Sequence, residues 1–167
     1  ATLSSDGIDR GVWRSVDGHN WINITDSLFP PIYGRIAIGI NPSNEDQVYF
    51  LAAETDNYGQ HTDVFFNGHT WTSLWKYDAG DGSWVDLSSN IPANQATSFD
   101  NFNAQGGYDL LVKVHPTDAN TLYVGAPAGG FWKSTDAGQN WTTTTDFLTN
   151  LGVSDIAINP NNPDEIY

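Results

Sequence analysis

The chain has 167 residues, with twenty acidic side chains against six Lys and Arg, and a net charge of −14. A surface of that sign repels phosphate backbones and anionic lipid, which argues against nucleic-acid partners and membrane binding. Cysteine is absent, so disulfides contribute nothing to stability, and no apolar run reaches the ~20 residues of a membrane helix.

Gly, Pro, Asn, Asp, Ser and Thr punctuate short apolar runs rich in aromatics. That pattern predicts an all-β chain. Methionine is missing even at position 1, so the chain is expected to be a processed or excised piece of a longer product.

In chain order, Ala1–Ser15 reads as a late strand of an incomplete unit. It leads into Gly11-Val12-Trp13-Arg14-Ser15-Val16-Asp17-Gly18-His19-Asn20-Trp21, a strand and a tight turn closed by tryptophan. In such a turn a short hydroxyl and a carboxylate accept backbone N–H groups that have no ladder partner. Next, Ile36-Ala37-Ile38-Gly39-Ile40-Asn41-Pro42 alternates with the period of a strand and leads to Val48-Tyr49.

A long insertion, Glu54–Trp71, carries Asp56, Tyr58, His61, Asp63, Phe65, Phe66, His69 and Trp71. A degenerate turn follows in Leu74–Trp84. It lacks Ser-x-Asp and is expected to rest on glycine and Asp81 alone. A second insertion, Ala93–Gly106, holds Asp100 and Phe102. Long insertions on a rigid scaffold are where function usually sits.

The strand motif returns in Leu110–Pro116 with Leu122-Tyr123, and again in Ser154–Pro160 with Ile166-Tyr167. Every copy places its Tyr seven residues after the Pro. Between the last two lies the fullest turn, Ser134-Thr135-Asp136-Ala137-Gly138-Gln139-Asn140-Trp141, in which Gly138 supplies the φ > 0 position. Strand, Pro-containing turn, strand, hairpin and closing strand make a four-stranded antiparallel unit, the size and order of a propeller blade. A sandwich would not repeat Trp, Pro and Tyr in matching order.

The Ser-x-Asp-x-Gly-x-x-Trp turn resembles the Asp-box, or BNR repeat, of β-propellers such as sialidases, sortilin-type receptors and xyloglucanases. Ser15, Asp17, Trp21, Ser134, Asp136, Gly138 and Trp141 take the positions of that motif. Gly106–Leu110, Val114–Pro116 and Gly129–Ser134 further resemble large secreted bacterial BNR-repeat proteins, which often carry a sorting domain for type IX secretion. The resemblance implies an extracellular or cell-surface protein. Residues 1–167 are then a partial β-propeller, about two complete blades with partial ones at both ends. Its partners would be the remaining blades or another polypeptide covering its edges, together with a polysaccharide or protein ligand.

The Ser-x-Asp residues recur at equivalent positions, so they follow a fold rule; a catalytic site would not recur. A sialidase clamps its substrate carboxylate with arginines, but only Arg10, Arg14 and Arg35 exist, and Arg14 stands where Lys76 and Lys133 stand in the other units. A glycosidase needs two carboxyls across a cleft, one of which Glu54, Asp56, Asp63 or Asp100 could supply. The spacing of His61, Asp63 and His69 matches no metal-ligand set, and Asp78–Gly82 lacks the downstream Glu of a calcium loop. Neither a metal nor a cofactor is therefore expected. The sequence favours a non-catalytic binding module whose insertion residues, Asp56, Tyr58, His61, Asp63, Phe65, Phe66, His69, Trp71, Asp100 and Phe102, meet a carbohydrate or protein. A xyloglucanase-like glycoside hydrolase is the alternative.

Overall fold

A computed structural model describes residues 1–3, 7–53, 72–91, 110–125, 131–143, 153, 155–159 and 161–167, and the backbone alone of 65–66 and 69–70. Among them the regular structure is thirteen strands and one 3₁₀ turn, Ser88–Asn90. No helix among the described residues is long and apolar enough to cross a membrane.

The first sheet joins β1 (Thr2–Leu3), β2 (Gly11–Arg14) and β3 (Ile22–Asn23) in chain order. The N-terminal stretch thus supplies two strands, where one was expected from the sequence. Ala1 and Trp13 exchange backbone hydrogen bonds of 2.8 Å, which extends the β1–β2 ladder by one pair.

Next come β4 (Arg35–Ile40) and β5 (Gln47–Ala53), then a separate hairpin of β6 (Phe65–Phe66) and β7 (His69–Thr70). The strands β8 (Thr72–Asp78) and β9 (Ser83–Asp86) complete a four-stranded antiparallel sheet in the order β4-β5-β8-β9. A third sheet repeats the plan with β10 (Leu111–Val114), β11 (Leu122–Gly125), β12 (Phe131–Ser134) and β13 (Thr142–Thr143). A fourth unit begins at the bridge between Ile158 and Ile166.

Both faces of β5 are covered, which is why it reads as a continuous apolar run. Tyr49, Leu51 and Ala53 join Leu74 and the third sheet's Val112, Leu122 and Trp132 in one core. Phe50 and Ala52 point the other way, into a second core with Val12 of the first sheet, Phe29, Tyr33, Trp75 and Tyr77. Leu111 and Tyr123 leave the third sheet on its far side to meet Ile156. Each sheet therefore packs face to face on its neighbours in chain order.

Contact between the inner strands is closest at Gly39. A Cβ there would stand 2.9 Å from the Val112 carbonyl oxygen, so only glycine lets β4 and β10 approach this far. One turn further along, Ser43 Oγ donates to the Pro116 carbonyl at 2.8 Å. Both contacts share the same one-residue offset, so β4 and β10 run in the same direction.

The residue before each repeated Pro organises the turn that follows. Asn41 Oδ1 accepts the Ser43 N–H at 3.0 Å, and Asn159 Oδ1 accepts that of Asn161 at 2.9 Å. In the third sheet a histidine takes this place. His115 Nδ1 accepts the N–H groups of Thr117 and Asp118, at 3.3 and 3.1 Å. Its proton then sits on Nε2, 3.1 Å from the Pro163 carbonyl of the next unit.

Candidate functional site

The strand directions place the residues that flank the two insertions at one rim. Ala53 and Thr72, which flank the first, pair with each other at the end of the second sheet where β4 begins. Ile91 and Leu110, which flank the second, share a core with Ala53. Because β4 and β10 run the same way, all four residues reach the same end of the second and third sheets. Within the first insertion the backbones of β6 and β7 pair antiparallel, Phe65 with Thr70 and Phe66 with His69. Asp56, Tyr58, His61, Asp63, Trp71, Asp100 and Phe102 lie outside the described residues, as do the side chains of Phe65, Phe66 and His69.

The tight turns close the opposite rim. Ser134 Oγ donates to Asp136 Oδ1 at 2.8 Å and accepts the N–H groups of Asp136 and Gly138. Asp136 in turn accepts from Gln139 N, Asn140 N and Asn140 Nδ2, at 2.8–3.1 Å. Ser15 and Asp17 reproduce the network in the shorter turn, with Gly18 N bound at 2.8 Å and Asn20 taking both carboxylate oxygens. The extra residue of the longer turn is Ala137, held at φ 58° just before Gly138 at 87°.

Between these two, the degenerate turn rests on more than Asp81. Asp81 Oδ1 accepts the Ser83 N–H and Asp78 Oδ1 that of Gly80, both at 2.9 Å. Asp78 ends β8 facing its own turn, so it substitutes for the missing serine.

The closing tryptophans differ in cover. Trp141 packs on the core between the second and third sheets. Trp84 stacks on Phe50 at 5.3 Å and lies against Phe29 and Tyr77. Trp21 is 46% exposed.

Hydrogen bonds to Asn140, from its side chain first and then its backbone, hold the Asp136 carboxyl down to about 2. The backbone and side chain of Asn20 hold Asp17 further below the usual carboxylate range. A carboxyl depressed in the folded state stabilises fully above its unfolded value and loses that contribution as it protonates. The thermal midpoint is therefore expected to fall as pH drops from 3.8 to about 2. Asp136→Asn should flatten that slope; an unchanged acid limb in the variant would contradict the network.

The repeated basic residue has a structural place. Lys76 Nζ lies 6.0 Å from the centre of the Tyr49 ring and Lys133 Nζ 5.8 Å from that of Tyr123, the geometry of a cation over an aromatic face. Burial pushes the Tyr49 hydroxyl up to about 12. Among the described residues no group of three or more His, Asp or Glu could hold a metal ion.

One feature not read from the sequence is a groove of about 640 Å³ between the first two sheets, with Ser15, Trp21 and Ala79 of the tight turns in its lining. Trp13, Trp21, Ile38, Ile40, Val48 and Phe50 line it. Its signal was present in the alternation of Ile36–Ile40.

No family model matches the chain. Over 106 residues it is 29% identical to the oligoxyloglucan-reducing end-specific xyloglucanase of Emericella nidulans, a match covering 53% of the chain and 13% of that protein. The crystal structure of the Niastella koreensis GH74 enzyme superposes with a TM-score of 0.60 at 23% identity, covering 90% of the chain and 21% of that enzyme. For the GH74 xyloglucanase of Xanthomonas campestris the values are 0.56 and 18%, covering 89% and 22%. The chain thus spans about a fifth of the solved enzymes and about an eighth of the curated relative. Together with the stacked four-stranded sheets, the likeness establishes a β-propeller fold in which each sheet is a blade.

Proposed function

We propose that the chain is a segment of an extracellular, carbohydrate-active propeller that binds a xyloglucan-like polysaccharide at the insertion rim. The observation that carries this is the sequence relation to the Emericella nidulans xyloglucanase. The residues that flank both insertions lie at one end of the second and third blades, which supports a shared surface there. In this reading Tyr58, Phe65, Phe66, Trp71 and Phe102 offer rings to stack on sugars, while Asp56, His61, Asp63, His69 and Asp100 supply hydrogen bonds. The turns at Ser15–Trp21 and Ser134–Trp141 are Asp-boxes that hold the blades and take no part in binding.

The relation to a xyloglucanase favours the glycoside-hydrolase reading over a purely non-catalytic module. Hydrolysis then needs a second carboxyl facing Glu54, Asp56, Asp63 or Asp100, and blades beyond these residues are its natural source.

The test is affinity electrophoresis of the chain in gels containing xyloglucan, cellulose or no polysaccharide. Xyloglucan should retard it, and Trp71→Ala with Phe102→Ala should restore most of the mobility. Equal mobility in all three gels would overturn the binding assignment. Reducing-end assays on the full-length protein then separate enzyme from binding module.

A further inference from the structure

The first two blades close their outer strands alike and then diverge. Ile24 N donates to the Val12 carbonyl as Leu87 N donates to that of Leu74, which aligns Ile24 with Leu87. Asp26, Ser27 and Leu28 therefore take the places of Ser89, Asn90 and Ile91. After the second blade those places turn inward. Asn90 Nδ2 donates to the Gly138 carbonyl of the third blade at 3.1 Å, and Ile91 lies in the core at 5% exposure. After the first blade they turn outward. Ser27 is exposed, its hydroxyl has no hydrogen-bond partner among the described residues, and Leu28 is 79% exposed.

The outward turn is firmly held. Asp26 Oδ1 accepts the Leu28 N–H at 2.7 Å, and the Asp26 carbonyl accepts that of Phe29 at 3.1 Å. These bonds close a β-turn with Ser27 at its second position. Phe29 anchors the end of the turn, its ring centre 5.5 Å from those of Tyr33 and Trp75 and 6.0 Å from that of Trp84. Pro30 and Pro31 follow, each with its φ fixed by the ring. The fold thus presents a free hydroxyl between a carboxylate and an uncovered leucine.

We propose that Ser27 is a site of O-glycosylation, recognised by a separate glycosyltransferase through Asp26 and Leu28. Because the turn is already ordered, seating it in an enzyme costs little conformational entropy. The step is a displacement. Ser27 Oγ bonds to the anomeric carbon of a sugar carried on a diphosphate, the bond from that carbon to the diphosphate oxygen breaks, and the hydroxyl proton passes to a base of the transferase. A sugar suits this place better than a phosphoryl group. Phosphate would set a second anion beside Asp26 in a chain of net charge −14, whereas a neutral sugar adds no charge and offers C–H groups to Leu28. The assignment shares only the extracellular placement with the proposed function and needs no ligand at the insertion rim.

Trypsin cleaves after Arg14 and Arg35, so Ser27 falls in one peptide, residues 15–35. In the full-length protein recovered from the medium of the cells that produce it, this peptide should carry the added mass of one or more sugar residues. Electron-transfer fragmentation should place the addition on Ser27, and alkaline β-elimination should release it. Ser27→Ala should abolish it. Leu28→Ser, at a position outside the core, should leave most of the peptide unmodified in a protein of unchanged thermal midpoint. An unmodified wild-type peptide, a phosphoryl mass, or a sugar on Asn23 or Thr25 in place of Ser27 would overturn the proposal, as would full occupancy in the Leu28→Ser protein.

Discussion

Leu74→Ala is expected to destabilise the chain by about 3–5 kcal/mol, the upper part of the range for a buried leucine. The side chain is fully buried, and its surroundings belong to two different sheets. Tyr49, Leu51 and Leu87 come from its own blade, whereas Val112, Leu122 and Trp132 come from the next. A cavity at such a place closes only if the blades move together, and the β4–β10 contact at Gly39 already holds them at minimum separation. Urea unfolding monitored by tryptophan fluorescence measures the loss. A cost below about 1.5 kcal/mol would mean that the interface collapses around the vacancy.

Gly39→Val probes the same interface from the opposite direction. The first added carbon meets the Val112 oxygen at 2.9 Å and its carbonyl carbon at 3.2 Å. Both belong to backbone that β11 fixes through the Val112–Val124 pair, so neither can turn aside as a side-chain end would. Overpacking of this kind typically costs about 1–3 kcal/mol, and the rigid obstacle argues for about 3 or more. Gly39→Ala should fall between the wild type and the valine variant. Wild-type stability in both variants would show that the inner strands do not approach as described.

Much of the fold was legible because its units are local. The seven-residue step from Pro to Tyr predicted hairpins, and the registers Ile40–Val48, Val114–Leu122 and Ile158–Ile166 are those hairpins. Turn chemistry was legible for the same reason, since every hydrogen bond of Ser134 and Asp136 in its turn closes within six residues. The reading was less complete where a non-local partner decides. Asp78 was passed over because its side chain serves the turn only once β8 ends there. Phe29 and Tyr33 lie in a connection without strand periodicity, yet both are core residues because the second blade closes over them.

By itself the sequence determined the class of fold, the order of strands within each unit and the chemistry of the tight turns. These depend on side-chain alternation, on φ > 0 at Gly138 and on contacts a few residues apart. Tertiary structure alone decided that both insertions leave from one rim and that His115 ties two units together through Pro163. Those outcomes require knowing which face of one sheet meets which face of the next.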